Sequence, residues 1–308
     1  MADRSSWRYD AALLLVVLIW GLNFPVIKVP LLAMHPFTVN LFRFCVSVVV
    51  LGALWGLEAR RNGRSYVEPV RQMPGVVVGL GLVGHVGYQV LFILAVARTS
   101  AGSAALIIAS SPMWTALIGH ALGIDRMQRG AWGGLLLSTL GVAVVVLAGE
   151  GEIDFSNEGF LGNVLMLIGA VLWAVYTVFS RPALARGAAP LGLAFYSVLV
   201  AFPVLAALGV TTVGTTAWAR VDAWTWAALV FSGGLSTGLA YYLWNLAVRR
   251  VGPSQTAAFS NLVPFVALVA AFLLLGEPIR LPQVLGGALI VGGLVLMRRR
   301  RGPIERMR

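Results

Sequence analysis

The chain has 308 residues, 59% apolar and 11% charged, with a mean hydropathy of +0.86. Soluble domains carry about 25% charged residues, so an ordinary soluble enzyme or binding module is excluded and the composition belongs in a bilayer. Lys and Arg number 23 against 12 Asp and Glu, giving a net charge of +11 that could report nucleic acid, acidic lipid or membrane topology.

An apolar run of about 20 residues spans a hydrocarbon core of about 30 Å. Ten such runs follow one another, predicting spans at 11–32, 38–57, 73–97, 101–123, 130–148, 159–180, 190–210, 224–248, 254–275 and 282–297. Arg4 and Arg8 precede the first run as in a secretory signal, but the run is too long for one and lacks a small-residue cleavage site. It therefore reads as a spanning helix. The connections are too short to hold a soluble domain. The expected fold class is an all-α polytopic membrane protein of ten transmembrane helices.

Ten spans put both termini on one side, and the basic residues identify it. The N-terminus, every second connection and the C-terminal tail together carry 18 Lys and Arg, against four (Lys28, Arg98, Arg220 and Arg280) on the opposite side. Both termini are therefore expected in the cytoplasm, with 298–308 as a basic cytoplasmic tail. Directly after a spanning helix, Arg298–Arg301 reads as an anchor for anionic headgroups rather than a nucleic-acid patch, so no nucleic-acid partner is expected.

Sliding the chain against itself by 152 residues superimposes Arg98 on Arg250, Pro112 on Pro264, Asp125 on Glu277, Gly134 on Gly286 and Gly141 on Gly293. At 153 Trp20 meets Trp173 and Lys28 meets Arg181, and at 154 Pro36 meets Pro190. The drift falls in connections. Two repeats, 11–148 and 159–297, each hold five spans, and an odd number forces opposite insertion. They are expected to form one transport domain, with its substrate site near the midplane between the halves.

Leu18-Ile19-Trp20-Gly21-Leu22-Asn23-Phe24 in the first span and Arg43-Phe44 in the second, set in this frame, resemble the drug/metabolite transporter superfamily. So do the paired prolines of spans four and nine and Leu274-Leu275-Gly276-Glu277-Pro278, which together are similar to its EamA-type exporters. The resemblance covers nearly the whole chain and is strongest to bacterial inner-membrane exporters of amino acids, including aromatic ones. It implies a basket in which helices 1, 3, 4, 6, 8 and 9 line a central cavity, with helices 5 and 10 peripheral and available to a second copy as a homodimer contact.

Polar groups deep in a span are costly, and each is a candidate either for function or for holding helices together. Trp20, Asn23, His85, Tyr88, Gln89, Trp173, Tyr176, Tyr242, Asn245 and Asn261 form the candidate substrate-binding set. Aromatic walls with amide and hydroxyl groups suit a ligand with an apolar side chain and a polar head. The alternatives are bundle packing for the tryptophans, bonds between helices for the amides, and a neutral imidazole satisfied by a hydroxyl for His85. Pro112 and Pro264 are candidate hinges, or fixed bends. Arg43, about 9 Å inside its span, is expected to snorkel or to neutralise backbone carbonyls in preference to binding a substrate carboxylate.

All twelve acids lie in tails, in connections or at span ends. A cationic drug would meet no embedded carboxylate, so neutral or zwitterionic cargo is the easier reading, with other metabolites or drugs as the alternative. A membrane lipid-modifying enzyme would need a catalytic constellation, yet His35, His85 and His120 are scattered and no acidic metal cluster accompanies them, so no enzymatic role, metal or cofactor is expected. Gly79-Leu80-Gly81-Leu82-Val83-Gly84 matches a dinucleotide pattern only in letters, because no strand precedes it. Gly75/Gly79, Gly119/Gly123, Gly130/Gly134 and Gly234/Gly238 are expected to serve close helix packing.

Overall fold

A computed structural model describes residues 6–123, 131–148, 157–251, 256 and 259–299. The described chain is helical, with ten main helical units: α1 (Ser6–Val26, continued by Lys28–Leu31), α2 (Pro36–Arg61), α3 (Pro74–Arg98), α4 (Ala101–Ala121), α5 (Ala131–Ala148), α6 (Glu158–Ala185), α7 (Pro190–Val210), α8 (223–251), α9 (260–275) and α10 (Leu281–Arg299). Six of these, α1 to α4, α6 and α7, are long and apolar enough to cross a bilayer by themselves, while α5, α9 and α10 carry shorter apolar stretches. α8 buries Ser232, Ser236, Thr237 and Asn245, which lowers its apolarity. Residues 254, 255, 257 and 258 of the ninth predicted span, Asp125, and the tail beyond residue 299 lie outside the described residues.

Local chemistry sets the ends. His35 caps α2, its ring Nδ1 accepting from the Phe37 N–H at 3.3 Å, and Pro36 opens the helix, where a missing N–H costs nothing. Asp222 begins α8 through a reciprocal box with Thr225, whose donated hydrogen bonds hold the Asp222 carboxyl below the usual carboxylate range. Gly276 ends α9 in the left-handed conformation at φ 67°, which glycine adopts without a Cβ clash.

The packing repeats as the sequence does. α3 packs on α6 and α7, and its counterpart α8 packs on α1 and α2; α1 lies against α9, and α6 against α4. The halves also meet through equivalent helices, α2 on α7 and α5 on α10. In the last pair a Cβ on Gly141 would sit 2.6 Å from the Gly286 carbonyl oxygen, and one on Gly293 2.5 Å from that of Gly134. Each glycine thus touches the repeat-equivalent of the other's partner, and position rises along α5 as it falls along α10. Repeat-equivalent helices running antiparallel are what inverted halves produce, so a pseudo-two-fold axis passes between them.

Of the expected glycine pairs, only Gly134 sits at a close helix contact among those whose surroundings are described. Gly75, Gly79 and Gly123 face open space, Gly123 acting as a left-handed helix end; Gly234 and Gly238 make ordinary contacts with Val50 and its neighbours. Gly130 lies outside the described residues. Close backbone approach also uses Gly81 and Gly233, a repeat-related pair, where an added Cβ would sit 2.8 Å from the Ser197 carbonyl oxygen and 2.4 Å from that of Arg43. The dinucleotide-like motif is thereby explained as packing, since its Gly84 leaves room for the Tyr176 ring.

Connections sort to two ends. Lys28, Thr99 and Glu277 meet at one, where the Ala217 N–H also donates to the Ala33 carbonyl at 2.8 Å. At the other, Trp55 and Tyr196 both donate to the Tyr66 carbonyl, at 2.8 and 2.9 Å. Large apolar side chains such as Leu136, Leu140, Phe265 and Phe272 are exposed while serines, threonines and amides are buried, the distribution expected when the surroundings are lipid.

Gly141→Val should drive a branched side chain into the α10 backbone and cost about 1–3 kcal/mol. The expected outcome is a lower melting temperature and reduced monodisperse yield in detergent, whereas Gly75→Ala, facing open space, should match the parent.

Candidate transport site

Between the halves lies a cavity of about 50 Å³, room for a few waters, whose walls come from α1, α2, α3, α4, α6, α8 and α9. Repeat-equivalent residues meet beside it. The Trp20 and Trp173 rings pack edge to face at 5.5 Å, and the Gln89 amide donates to the Tyr241 hydroxyl at 2.7 Å. Tyr88 and Tyr241 each lie 5.3 Å from Trp173, and Trp20 fixes its own ring by donating its indole N–H to the Ser236 carbonyl at 3.0 Å. Such rings bury large area with few torsions to freeze, which makes the wall stiff.

Both third helices of the repeats widen into π-helical segments, Gly81–Gly87 in α3 and Phe231–Leu239 in α8, a form that concentrates at functional sites. The contacts they make are related by the repeat: His85 of the first segment meets Ser197 of α7 at 3.0 Å, and Thr237 of the second meets Arg43 of α2 at 3.2 Å. One side of the axis thus carries an imidazole and a hydroxyl, the other a guanidinium and a hydroxyl. The frame is symmetric and its charge is not.

Arg43 does not snorkel. It is 1% exposed and lines the cavity, with Nη1 donating to Asn40 Oδ1 at 2.9 Å and Gln89 Oε1 at 3.2 Å and Nη2 donating to Thr237. Its partners are side-chain oxygens rather than the backbone carbonyls expected, and Gln89 is oriented for the role because the Asn40 amide holds the Gln89 carbonyl at 2.9 Å. Hydrogen bonds to a charged group contribute about 1.5–3 kcal/mol each, against several kcal/mol for desolvating the ion. The site holds the cation in place while leaving its charge unneutralised by any carboxylate ion pair among the described residues.

The prolines do more than bend their helices. α4 stops at Ile108 and restarts at Ser111, with Pro112 in the first turn of the new segment; α9 passes through a 3-10 turn, Ser260–Leu262, before Val263, with Pro264 in the matching place. Both breaks open on the cavity through Ala109, Ser111, Ser260 and Val263. The restarts are satisfied locally: Pro112 and Pro264 have no N–H to pair, and the Met113 and Val263 N–H groups bond to the Ser110 and Ser260 carbonyls.

Of the candidate residues, Trp20, Asn23, Tyr88, Gln89 and Trp173 line the cavity. Tyr242 does not: it is half-buried against the core, and its neighbour Tyr241 forms the wall. His85, Tyr176 and Asn245 form a layer behind it, with Tyr176 stacked 5.1 Å from Trp173, the Asn245 amide donating to the Tyr176 hydroxyl at 3.1 Å, and His85 5.2 Å from Tyr241. Asn261 lies at the α9 break, its side chain outside the described ones. Phe24, Phe92, Asn40, Ser236 and Thr237 were not anticipated; the repeat register itself pointed to Thr237 and Tyr241, the counterparts of His85 and Gln89.

At one end of the helix bundle a polar clamp joins the two halves. Lys28 Nζ pairs with Glu277 Oε1 at 3.2 Å and donates to the Thr99 carbonyl at 2.8 Å. Glu277 accepts from the Ala101 N–H at 2.9 Å, so the acid that follows α9 caps the start of α4. The left-handed Gly276 turns the chain back to make this possible. Gln283 adds bonds to Ser100 at 3.2 Å and Ser103 at 3.0 Å.

Inverted halves around a cavity with a clamp at one end define a multi-pass membrane transporter. The sequence signature of the EamA-like transporter family matches twice, over residues 7–147 and 160–299, and the chain belongs to that family. It is 32% identical over 289 residues to a probable terminal-alkyne amino-acid exporter of Streptantibioticus cattleyicolor, covering 94% of this chain and 93% of the relative. It is 28% identical over 297 residues to a probable amino-acid metabolite efflux pump of Escherichia coli, covering 94% of each chain. A solved crystal structure superposes with a TM-score of 0.66 at 22% identity over 93% of this chain and 97% of its own, showing the shared fold.

Glu277→Gln should weaken the clamp. With Cys45→Ser removing the native thiol and Asn23→Cys placing one in the cavity, a membrane-impermeant maleimide should label the clamp variant severalfold faster than its Glu277 parent. Equal rates would show that the clamp does not control access.

Proposed function

We propose that the protein exports small zwitterionic metabolites, amino acids with apolar or aromatic side chains among them, across a bacterial inner membrane by alternating access of its two five-helix halves. The observation that carries this reading is the aromatic cavity between the halves, walled by helices of both repeats, with Lys28 and Glu277 joining the halves at one end of the bundle. With room for only a few waters, its walls must part to take a ligand the size of phenylalanine, and rocking the halves about the axis would part them. The two repeats act as one transport domain, and the broken helices α4 and α9 supply the hinges. The names of the relatives, amino-acid exporter and amino-acid metabolite efflux pump, support this cargo class. The 18 to 4 distribution of basic residues supports a cytoplasmic position for both termini. A second copy would dock on the outer faces of α5 and α10.

Proteoliposomes containing the purified protein should show saturable flux of labelled L-phenylalanine, L-leucine or L-threonine. Trp173→Ala should lower that flux at least about tenfold, equivalent to about 1.4 kcal/mol, with the protein still monodisperse, while Val49→Ala, on the exposed outer face of α2, should leave it unchanged. Absence of saturable flux for every amino acid tested would overturn the assignment.

A further inference from the structure

Two buried polar atoms without partners belong to residues lining the same cavity, and they are of opposite kind. Arg43 Nε is a donor on a permanently charged group, and Asn23 Oδ1 is an acceptor on a side chain 3% exposed. Native interiors pair most such atoms, so an orphan on a cavity wall is a place where a ligand or a water can bind. Among the described residues no Asp or Glu lines the cavity. The guanidinium is already fixed in direction by Asn40, Gln89 and Thr237, which engage both Nη atoms and leave Nε over.

We propose that this cavity recognises the head of a zwitterion, Arg43 receiving the carboxylate and Asn23 the ammonium, and that Arg43 is the residue that makes a free carboxylate obligatory. The assignment rests on the exporter reading above and names its specificity element. A carboxylate supplies the counter-charge that the protein withholds from Arg43, and it can accept from Nε. The ammonium finds the Asn23 oxygen and the faces of nearby rings such as Trp20, a favourable setting for a cation. The side chain of the cargo then lies among Tyr88, Phe92 and Trp173. A cargo that is cationic overall would set a like charge beside Arg43, which accounts for discrimination against amines.

The test uses the full-length protein in proteoliposomes, labelled L-phenylalanine, and unlabelled competitors that change only the head: L-phenylalanine, L-phenylalaninamide and phenethylamine. The amide and the amine are expected to compete at least about tenfold less well than the amino acid, because a site built to pair a group rejects analogues lacking it. Arg43→Gln should reduce that preference to near unity in protein that remains monodisperse, whereas Asn23→Ala should weaken L-phenylalanine yet preserve its advantage over the amide. If L-leucine or L-threonine proves to be the cargo, the same comparison is made with its amide and decarboxylated amine. Saturable amino-acid flux with equal competition by acid, amide and amine in the parent protein would overturn the head-group assignment alone, as would an undiminished preference in Arg43→Gln. No flux of any amino acid would remove the exporter reading and this inference with it.

Discussion

Burying an arginine in the middle of a membrane protein without a carboxylate partner is the constraint around which this structure is organised. Arg43 needs three oxygen acceptors at fixed positions, and those acceptors come from α2, α3 and α8. Meeting that need requires the α8 backbone to touch α2 at Gly233, where any side chain would collide with the Arg43 carbonyl. It also requires a π-helical turn that carries Thr237 to the guanidinium and the Asn40 bond that holds the Gln89 backbone. The arginine therefore ties both halves together at the point where the cavity opens.

The duplicated frame explains why such a site could arise. Several contacts that build one side of the cavity have a counterpart on the other: Gly81 with Gly233, His85 with Thr237, Ser197 with Arg43, and Trp20 facing Trp173. A symmetric pair of halves has two equivalent positions at the axis, and replacing one serine-like position by arginine gives the cavity a direction without altering the packing. The clamp at Glu277 is a second asymmetry in use, joining the start of α4 to the end of α9 while the chain as a whole stays two-fold.

The architecture was largely legible in the residues. Apolar length gave the spans, the 152-residue register gave the duplication, and the odd number of helices per half required the inversion that the crossed contacts of Gly134 and Gly141 with α10 display. The site was legible only in part. Depth along a helix can be counted, but rotation about its axis cannot be read from a helix that is apolar all round. Tyr241 and Tyr242 therefore exchanged roles, and His85, Tyr176 and Asn245 fell one layer behind the wall. The snorkelling expected of Arg43 follows from its long side chain. It fails because Asn40 and Gln89 offer nearer acceptors inside the bundle, a contact between helices that no local pattern announces. Glu277 looked like an ordinary loop acid until folding brought it to the N-terminus of α4.

A structure of the protein with L-phenylalanine bound tests this account most directly. The account places the ligand in the cavity between the halves, its carboxylate within hydrogen-bonding distance of Arg43 Nε, its ammonium on Asn23 and its ring against Trp173. Phenylalanine bound outside that cavity, or within it with the carboxylate turned away from Arg43, would contradict it.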